Sequence, residues 1–154
     1  MIRIIHATTK DHFQSAHELF IQYAESLGFD LEFQGFNREL AGLPGDYASP
    51  AGCILLAEVG GGFTGCVALR PLQDKICEMK RLYVIPEYQG RGIGGAVANS
   101  VISEARKKGY QKMRLDTIES MKAAQSLYFS LGFKTIEAYC YNPLENPCFM
   151  EMEL

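Results

Sequence analysis

The chain has 154 residues, 47% of them hydrophobic and 21% charged, with a net charge of −3. That is enough for one domain, residues 1–154, with a substantial core and the composition of a soluble globular protein. The small negative charge and the lack of a basic block argue against a nucleic-acid partner. No run approaches the roughly 18 apolar residues of a membrane span, and no signal-peptide-like apolar segment opens the chain. Five cysteines (Cys53, Cys66, Cys77, Cys140, Cys148) show no C-x-x-C spacing. They read as small hydrophobes of a reducing compartment, which predicts a cytoplasmic protein. His6, His12 and His17 are too scattered for a metal site, and none is expected.

Ile2 to His6 reads as a first strand. Thr8 or Thr9 is placed to cap a helix with Phe13, Ala16, Leu19, Phe20, Tyr23 and Leu27 on one face, closed by Gly28. Phe29 to Gly45 is aromatic and acidic together, a mixture that suits a loop with a short second helix and a pocket lid. From Gly52 the pattern changes. Cys53–Val59 and Phe63–Leu69 flank Gly60-Gly61-Gly62 as a hairpin, Pro71 to Lys75 reads as the next turn, and Ile76 to Ile85 as a central strand.

Four glycines follow that strand within six positions: Gly90, Gly92, Gly94 and Gly95. Ile93, Val97 and Val101, widened by Ala98, Ile102 and Ala105, then mark a helix that would pack on a sheet and end at Gly109. A strand passing through glycines into a helix start makes an anion site. The first turn has free N–H groups and the positive end of the dipole, and glycine lets a phosphate approach. Met113 to Asp116 would be a strand parallel to the central one, reached by a crossover. Met121 to Leu131 reads as a helix closed by Gly132, and Phe133–Tyr139 and Cys148–Leu154 as the last strands. The fold class is therefore α+β, an antiparallel half joined to a parallel half at the central strand. Dimerisation through the late strands is an expectation, since Cys148–Leu154 would leave an edge exposed.

Gly90-x-Gly92-x-x-Gly95 also satisfies the dinucleotide fingerprint, with Asp116 where a ribose-binding acid is expected. The context disagrees. Such a fold opens with this unit, whereas here a hairpin precedes it and too little chain remains after Asp116. Glu78, Lys80 and Arg81 are also foreign to a strand buried on both faces.

Gln89-Gly-Arg-Gly-Ile-Gly94 resembles the acyl-CoA signature Q/R-x-x-G-x-G/A of the GNAT acetyltransferase superfamily, after a strand written Lys80-Arg-Leu-Tyr-Val-Ile-Pro-Glu87. Downstream, Ala124-Gln-Ser-Leu-Tyr-Phe-Ser-Leu-Gly-Phe133 resembles that superfamily's A-x-x-L-Y-x-x-x-G-F. The resemblance covers essentially the whole order of elements. It implies a mixed sheet splayed at the central strand, with helices on both faces, and an N-acetyltransferase that moves the acetyl group of acetyl-CoA directly onto a primary amine. By the same resemblance, Gln89, Gly90, Arg91, Gly92, Ile93, Gly94 and Gly95 would hold the pyrophosphate. Backbone groups of Leu82, Tyr83 and Val84 would meet pantetheine, and Tyr128 would protonate the departing sulfur.

Glu78, eleven residues before Gln89, stands where some members carry a glutamate base. Strict alternation puts it on one face with Lys80, Leu82 and Val84, and partial burial would raise its pKa. Members often have an asparagine where this chain has Met121, so one polar contact to CoA is missing. Glu32, Phe33, Arg70, Asp116, Tyr139 and Tyr141 are candidates for the acceptor pocket, being polar or aromatic near strand ends or the lid. Arg70 suits a carboxylate on a small-molecule or peptide amine, whereas Glu32 suits a polycation, and the two hints conflict. A non-catalytic acyl-CoA sensor of the same fold is the alternative.

Overall fold

The computed structural model describes residues 1–154. Seven strands form one sheet: β1 (Arg3–His6), β2 (Cys53–Val59), β3 (Gly62–Gln73), β4 (Ile76–Val84), β5 (Lys112–Ile118), β6 (Lys134–Ile136) and β7 (Pro147–Glu153), in the spatial order β1-β2-β3-β4-β5-β7-β6. The helices are α1 (Lys10–Leu27), α2 (Phe36–Ala41), α3 (Ile93–Lys107) and α4 (Lys122–Leu131). All pairs are antiparallel except β4 with β5. None of the helices is long and apolar enough to cross a membrane.

Local chemistry explains the elements. Thr9 caps α1: its Oγ1 accepts from the His12 N–H at 3.1 Å, and His12 Nδ1 accepts from the Thr9 N–H at 3.4 Å. Together they satisfy two of the helix's orphan donors. Gly28 ends α1 in the left-handed region, where glycine carries no Cβ penalty. The apolar residues of the strands divide between two cores. Leu55, Val67, Leu69, Met79 and Leu115 pack under α3 and α4, while Leu56, Cys66 and Ala68 pack with Ala16, Leu19 and Phe20 of α1.

Three sequence expectations are corrected. The second hairpin turn lies at Asp74–Lys75, and Pro71 is inside β3, beside a register shift. A proline fits there because the irregularity releases its ladder position. The strand expected over Phe133–Tyr139 shrinks to Lys134–Ile136, and residues 137–146 cross the end of the sheet as an irregular segment. β7 is not the edge strand, being covered by β6 over Phe149–Glu151. It is paired to β5 on one side and β6 on the other, which removes the premise for dimerising through Cys148–Leu154.

The feature that positions the site is in β4. Register with β3 shifts between Ala68↔Lys80 and Cys66↔Tyr83, and Arg81 sits in the gap with φ +62°. One extra residue on β4 reverses the side-chain parity beyond it. Leu82 and Val84 therefore join Met79 in the core under α3 and α4, and Tyr83 faces α1. The alternation expected from the sequence, with Glu78, Lys80, Leu82 and Val84 on one face, fails at this bulge. β4 and β5 are hydrogen-bonded only from Ile76↔Lys112 to Glu78↔Arg114. Beyond Glu78 the two parallel strands separate and leave a gap.

Candidate active site

A groove of about 420 Å³ runs along the α3 side of this gap, lined among others by Leu82, Val84, Gln89, Gly92, Gly94 and Met121. Its far end is a helix N-terminus. The first helical bond of α3 is Ala96 N–H to Gly92 C=O at 3.0 Å, so the amides of Ile93, Gly94 and Gly95 have no partner within the helix. Gly90 and Gly92 take φ +79° and +82°, the left-handed conformation that lets the loop turn back on itself. Gly94 and Gly95 serve differently. A Cβ on either would lie 3.7–3.9 Å from Leu127, in ordinary contact, and Gly94 lines the groove where α3 meets α4. The Gln89 side chain donates to the Val84 carbonyl at 2.9 Å and ties the glycine loop to the strand end. Arg91 is exposed and lies over the Tyr88 ring at 4.9 Å.

Leu82 and Met121 also line a second, smaller cavity of about 40 Å³ at the near end of the groove. Its walls include Tyr128, Lys80, Asp116, Thr117 and Gln34. Tyr128 is 7% exposed and stacks edge-on against Phe133, with ring centroids 5.7 Å apart. Burial pushes its phenol above the usual range, so it stays a neutral O–H donor through neutral pH. The Thr117 hydroxyl and the Gln34 side-chain oxygen are buried with no hydrogen-bond partner in the chain, which gives the cavity a polar wall.

On the face toward α1 and α2, the sequence's scattered polar residues meet in one network. Glu78 is 1% exposed. Arg70 Nε donates to its Oε1 at 2.8 Å, with the Arg70 Nη2 also 2.8 Å from that oxygen, Tyr139 donates to its Oε2 at 2.6 Å, and Lys80 Nζ lies 4.0 Å from Oε1. Burial alone would raise the Glu78 pKa, but the Lys80 and Arg70 charges and the hydrogen bonds from Tyr139 and Arg70 outweigh it and hold the carboxyl below its ordinary value. The raised pKa expected from the sequence is thus reversed, because the donors come from β3 and from residues 137–146 as well as from β4. Lys80 Nζ also lies 3.9 Å from Asp116, and burial lowers its pKa despite both carboxylates. Asp116 is fixed by the Asn142 side-chain amide at 3.0 Å.

Arg81, the bulged residue, stays on this face and closes a bidentate pair with Glu39 of α2 at 2.9 and 2.8 Å, its guanidinium 5.0 Å from the Phe36 ring centre. The pair pins α2, and with it the neighbouring loop, over the gap. Arg70 also borders a polar cavity of about 600 Å³ with Glu32, Arg38 and Tyr47, outside the smaller one. Both Glu32 oxygens there accept from Asn37. Phe33 and Tyr141 meet edge-on at 6.3 Å and join the two segments that flank the gap.

Of the residues expected for the acceptor, only Asp116 lines the small cavity. Tyr139 is bonded to Glu78, and Tyr141 is exposed in the Phe33 contact. Sequence reasoning missed Lys80, Thr117, Gln34, Asn142 and the Glu39–Arg81 pair. A signal existed for two of them: Lys80 and Arg81 are charged residues in a central strand, a placement that demands partners.

Comparison with known proteins agrees with this geometry. Residues 8–133 match the acetyltransferase (GNAT) family. An uncharacterized N-acetyltransferase of Schizosaccharomyces pombe is 41% identical over 86% of this chain and 83% of its own length. A GNAT-family acetyltransferase of Staphylococcus aureus superposes with a TM-score of 0.83 at 20% identity, covering 99% of both chains. PaiA N-acetyltransferase of Thermoplasma acidophilum, solved in complex with coenzyme A, superposes with a TM-score of 0.77 at 19% identity over 100% of this chain and 99% of that one. The splayed parallel pair, the helix N-terminus beside it and the family match over most of the chain have one reading: this protein belongs to the GNAT acetyltransferase family.

Proposed function

We propose that the chain transfers the acetyl group of acetyl-CoA directly to a primary amine within a ternary complex. The observation that carries this is continuity. A groove with free helix amides at one end opens, past Leu82 and Met121, into a cavity that holds a buried phenol at the other. The amides of Ile93, Gly94 and Gly95 suit the pyrophosphate, with Arg91 beside it. The β4 edge freed beyond Glu78 offers backbone groups of Leu82, Tyr83 and Val84 to pantetheine. The T. acidophilum protein, with the same fold, was solved with coenzyme A.

In this reading the acceptor ammonium comes in from the α1/α2 side and gives a proton to Asp116, the carboxylate that lines the cavity. The neutral amine attacks the thioester carbonyl, and as the C–S bond breaks Tyr128 protonates the sulfur and regains a proton from the adduct nitrogen. Glu78, expected as the base, is engaged by Arg70, Lys80 and Tyr139. Its proposed task is to hold those three groups in place rather than to take the proton. The chemistry asks for no metal.

Calorimetric titration with acetyl-CoA, and separately with NADH, tests the groove. Saturable acetyl-CoA binding without an NADH response is expected, and no acetyl-CoA binding would end the proposal. An amine panel read by free-thiol release then tests transfer. Binding with no turnover on any amine would favour an acyl-CoA sensor.

A further inference from the structure

We propose that Lys80 is a site of self-acetylation: with acetyl-CoA bound and no acceptor present, its Nζ attacks the thioester and the chain acetylates itself. The inference rests on reading the Tyr128 cavity as the place where the acetyl group sits.

Four observations converge on Lys80. Its side chain is 6% exposed, and it is the lysine that lines the Tyr128 cavity. The bulge at Arg81 sends Leu82 and Val84 toward the groove but leaves Lys80 on the face from which the proposed acceptor approaches. Its nearest anions, Glu78 at 4.0 Å and Asp116 at 3.9 Å, stand beyond hydrogen-bond distance, so they hold the Nζ by charge without tying it down through a hydrogen bond. Burial also lowers its pKa, which eases loss of its proton to the neighbouring Asp116 and so formation of the amine that can attack. An acceptor amine needs the same things: a neutral nitrogen beside Asp116, next to the carbonyl and within the reach of Tyr128. Lys80 is a built-in occupant of that position.

The step balances with the groups present. Lys80 passes its ammonium proton to Asp116, the freed Nζ lone pair forms a C–N bond to the thioester carbonyl carbon, and the tetrahedral adduct collapses with loss of the C–S bond. The sulfur takes a proton from Tyr128, which regains one from the adduct nitrogen. The products are an amide on Lys80 and free CoA. That amide is uncharged and bulkier than the amine. It can no longer offset Glu78 and Asp116, and it fills the space an acceptor needs, so the modified chain is blocked.

The test is to incubate the protein with acetyl-CoA and no amine, follow intact mass, and map the modified residue. One acetyl group per chain is expected, located on Lys80, and gained at a rate independent of protein concentration. The rate should exceed that at exposed Lys122 or Lys134 by at least about tenfold, as a held reactant should. Lys80→Arg should abolish the fast phase, and Tyr128→Phe should slow it. Acetyl-CoA that binds by calorimetry yet leaves Lys80 unmodified, or modifies it no faster than the surface lysines, overturns this inference alone. Failure to bind acetyl-CoA overturns it together with the transfer proposal.

Discussion

On the α3 side of β4 the site is made of backbone: helix amides, left-handed glycines and a strand edge released from its neighbour. On the α1/α2 side it is made of charge: Glu78, Arg70, Lys80, Asp116, Glu39 and Arg81, held by one another and by Tyr139 and Asn142. Under the proposed function, the contrast follows from what each flank would recognise. A pyrophosphate is the same in every cosubstrate molecule and can be met by main-chain donors that any helix start supplies. An amine must be brought in charged and made neutral, which takes side chains whose protonation is set by their neighbours. The first flank is therefore visible in a glycine pattern, and the second exists only once distant segments meet.

Removing Glu78 should break the contrast most severely. Glu78→Ala removes the buried partner of Arg70 and leaves Lys80 with Asp116 alone, and should cost about 3–5 kcal/mol of stability, measured by urea unfolding. The wild-type protein should show a related acid limit. The folded-state pKa of Glu78 is lowered, so its contribution is complete above the unfolded value of about 4.3 and fades as pH falls through the lower folded value. Urea midpoints taken from pH 7 down to pH 3 should drop at the acid end, and Glu78→Ala should flatten that part of the curve.

Tyr128 sits where the two flanks join, and its replacement should separate binding from chemistry. Tyr128→Phe should lower kcat about a hundredfold or more while calorimetric acetyl-CoA affinity holds. An unchanged kcat would remove the acid role. Gly92→Ala probes the backbone flank alone. A side chain at φ +82° costs about 1–2 kcal/mol, so either the fold loses that much or the loop moves, and acetyl-CoA affinity should fall while the Glu78 network stays intact. The mildest case is Phe33→Ala, which removes an aromatic contact of about 0.5–1.5 kcal/mol. It should change KM for the amine by no more than about tenfold, with acetyl-CoA binding untouched.

The legibility of the chain divides along the same line. The glycine loop, α3, the hairpin of β2 with β3 and the apolar face of α4 were all readable, because each depends on neighbours in sequence. The alternation from Glu78 to Val84 fails for want of one residue: Lys80 keeps the face of Glu78, and Leu82 and Val84 leave it. Alternation holds only while strands stay in register, and nothing in Lys80-Arg81-Leu82 announces a bulge. Tyr139 was placed in the acceptor pocket because the segment after Ile136 carries no pattern that shows it turning back to Glu78. Likewise, β7 enters the sheet between β5 and β6, an order that chain sequence does not reveal.

The Phe33–Tyr141 contact also bears on timing. It joins the segment before α2 to the segment before β7 across the mouth of the gap, through one pair of rings. At about 0.5–1.5 kcal/mol, such a clasp biases closed over open by only about two- to twelvefold. The mouth would then stand open for a sizeable fraction of the time with no ligand driving it. Access for the amine becomes a matter of how often the clasp parts, and an acetylated product would leave by the same fluctuation.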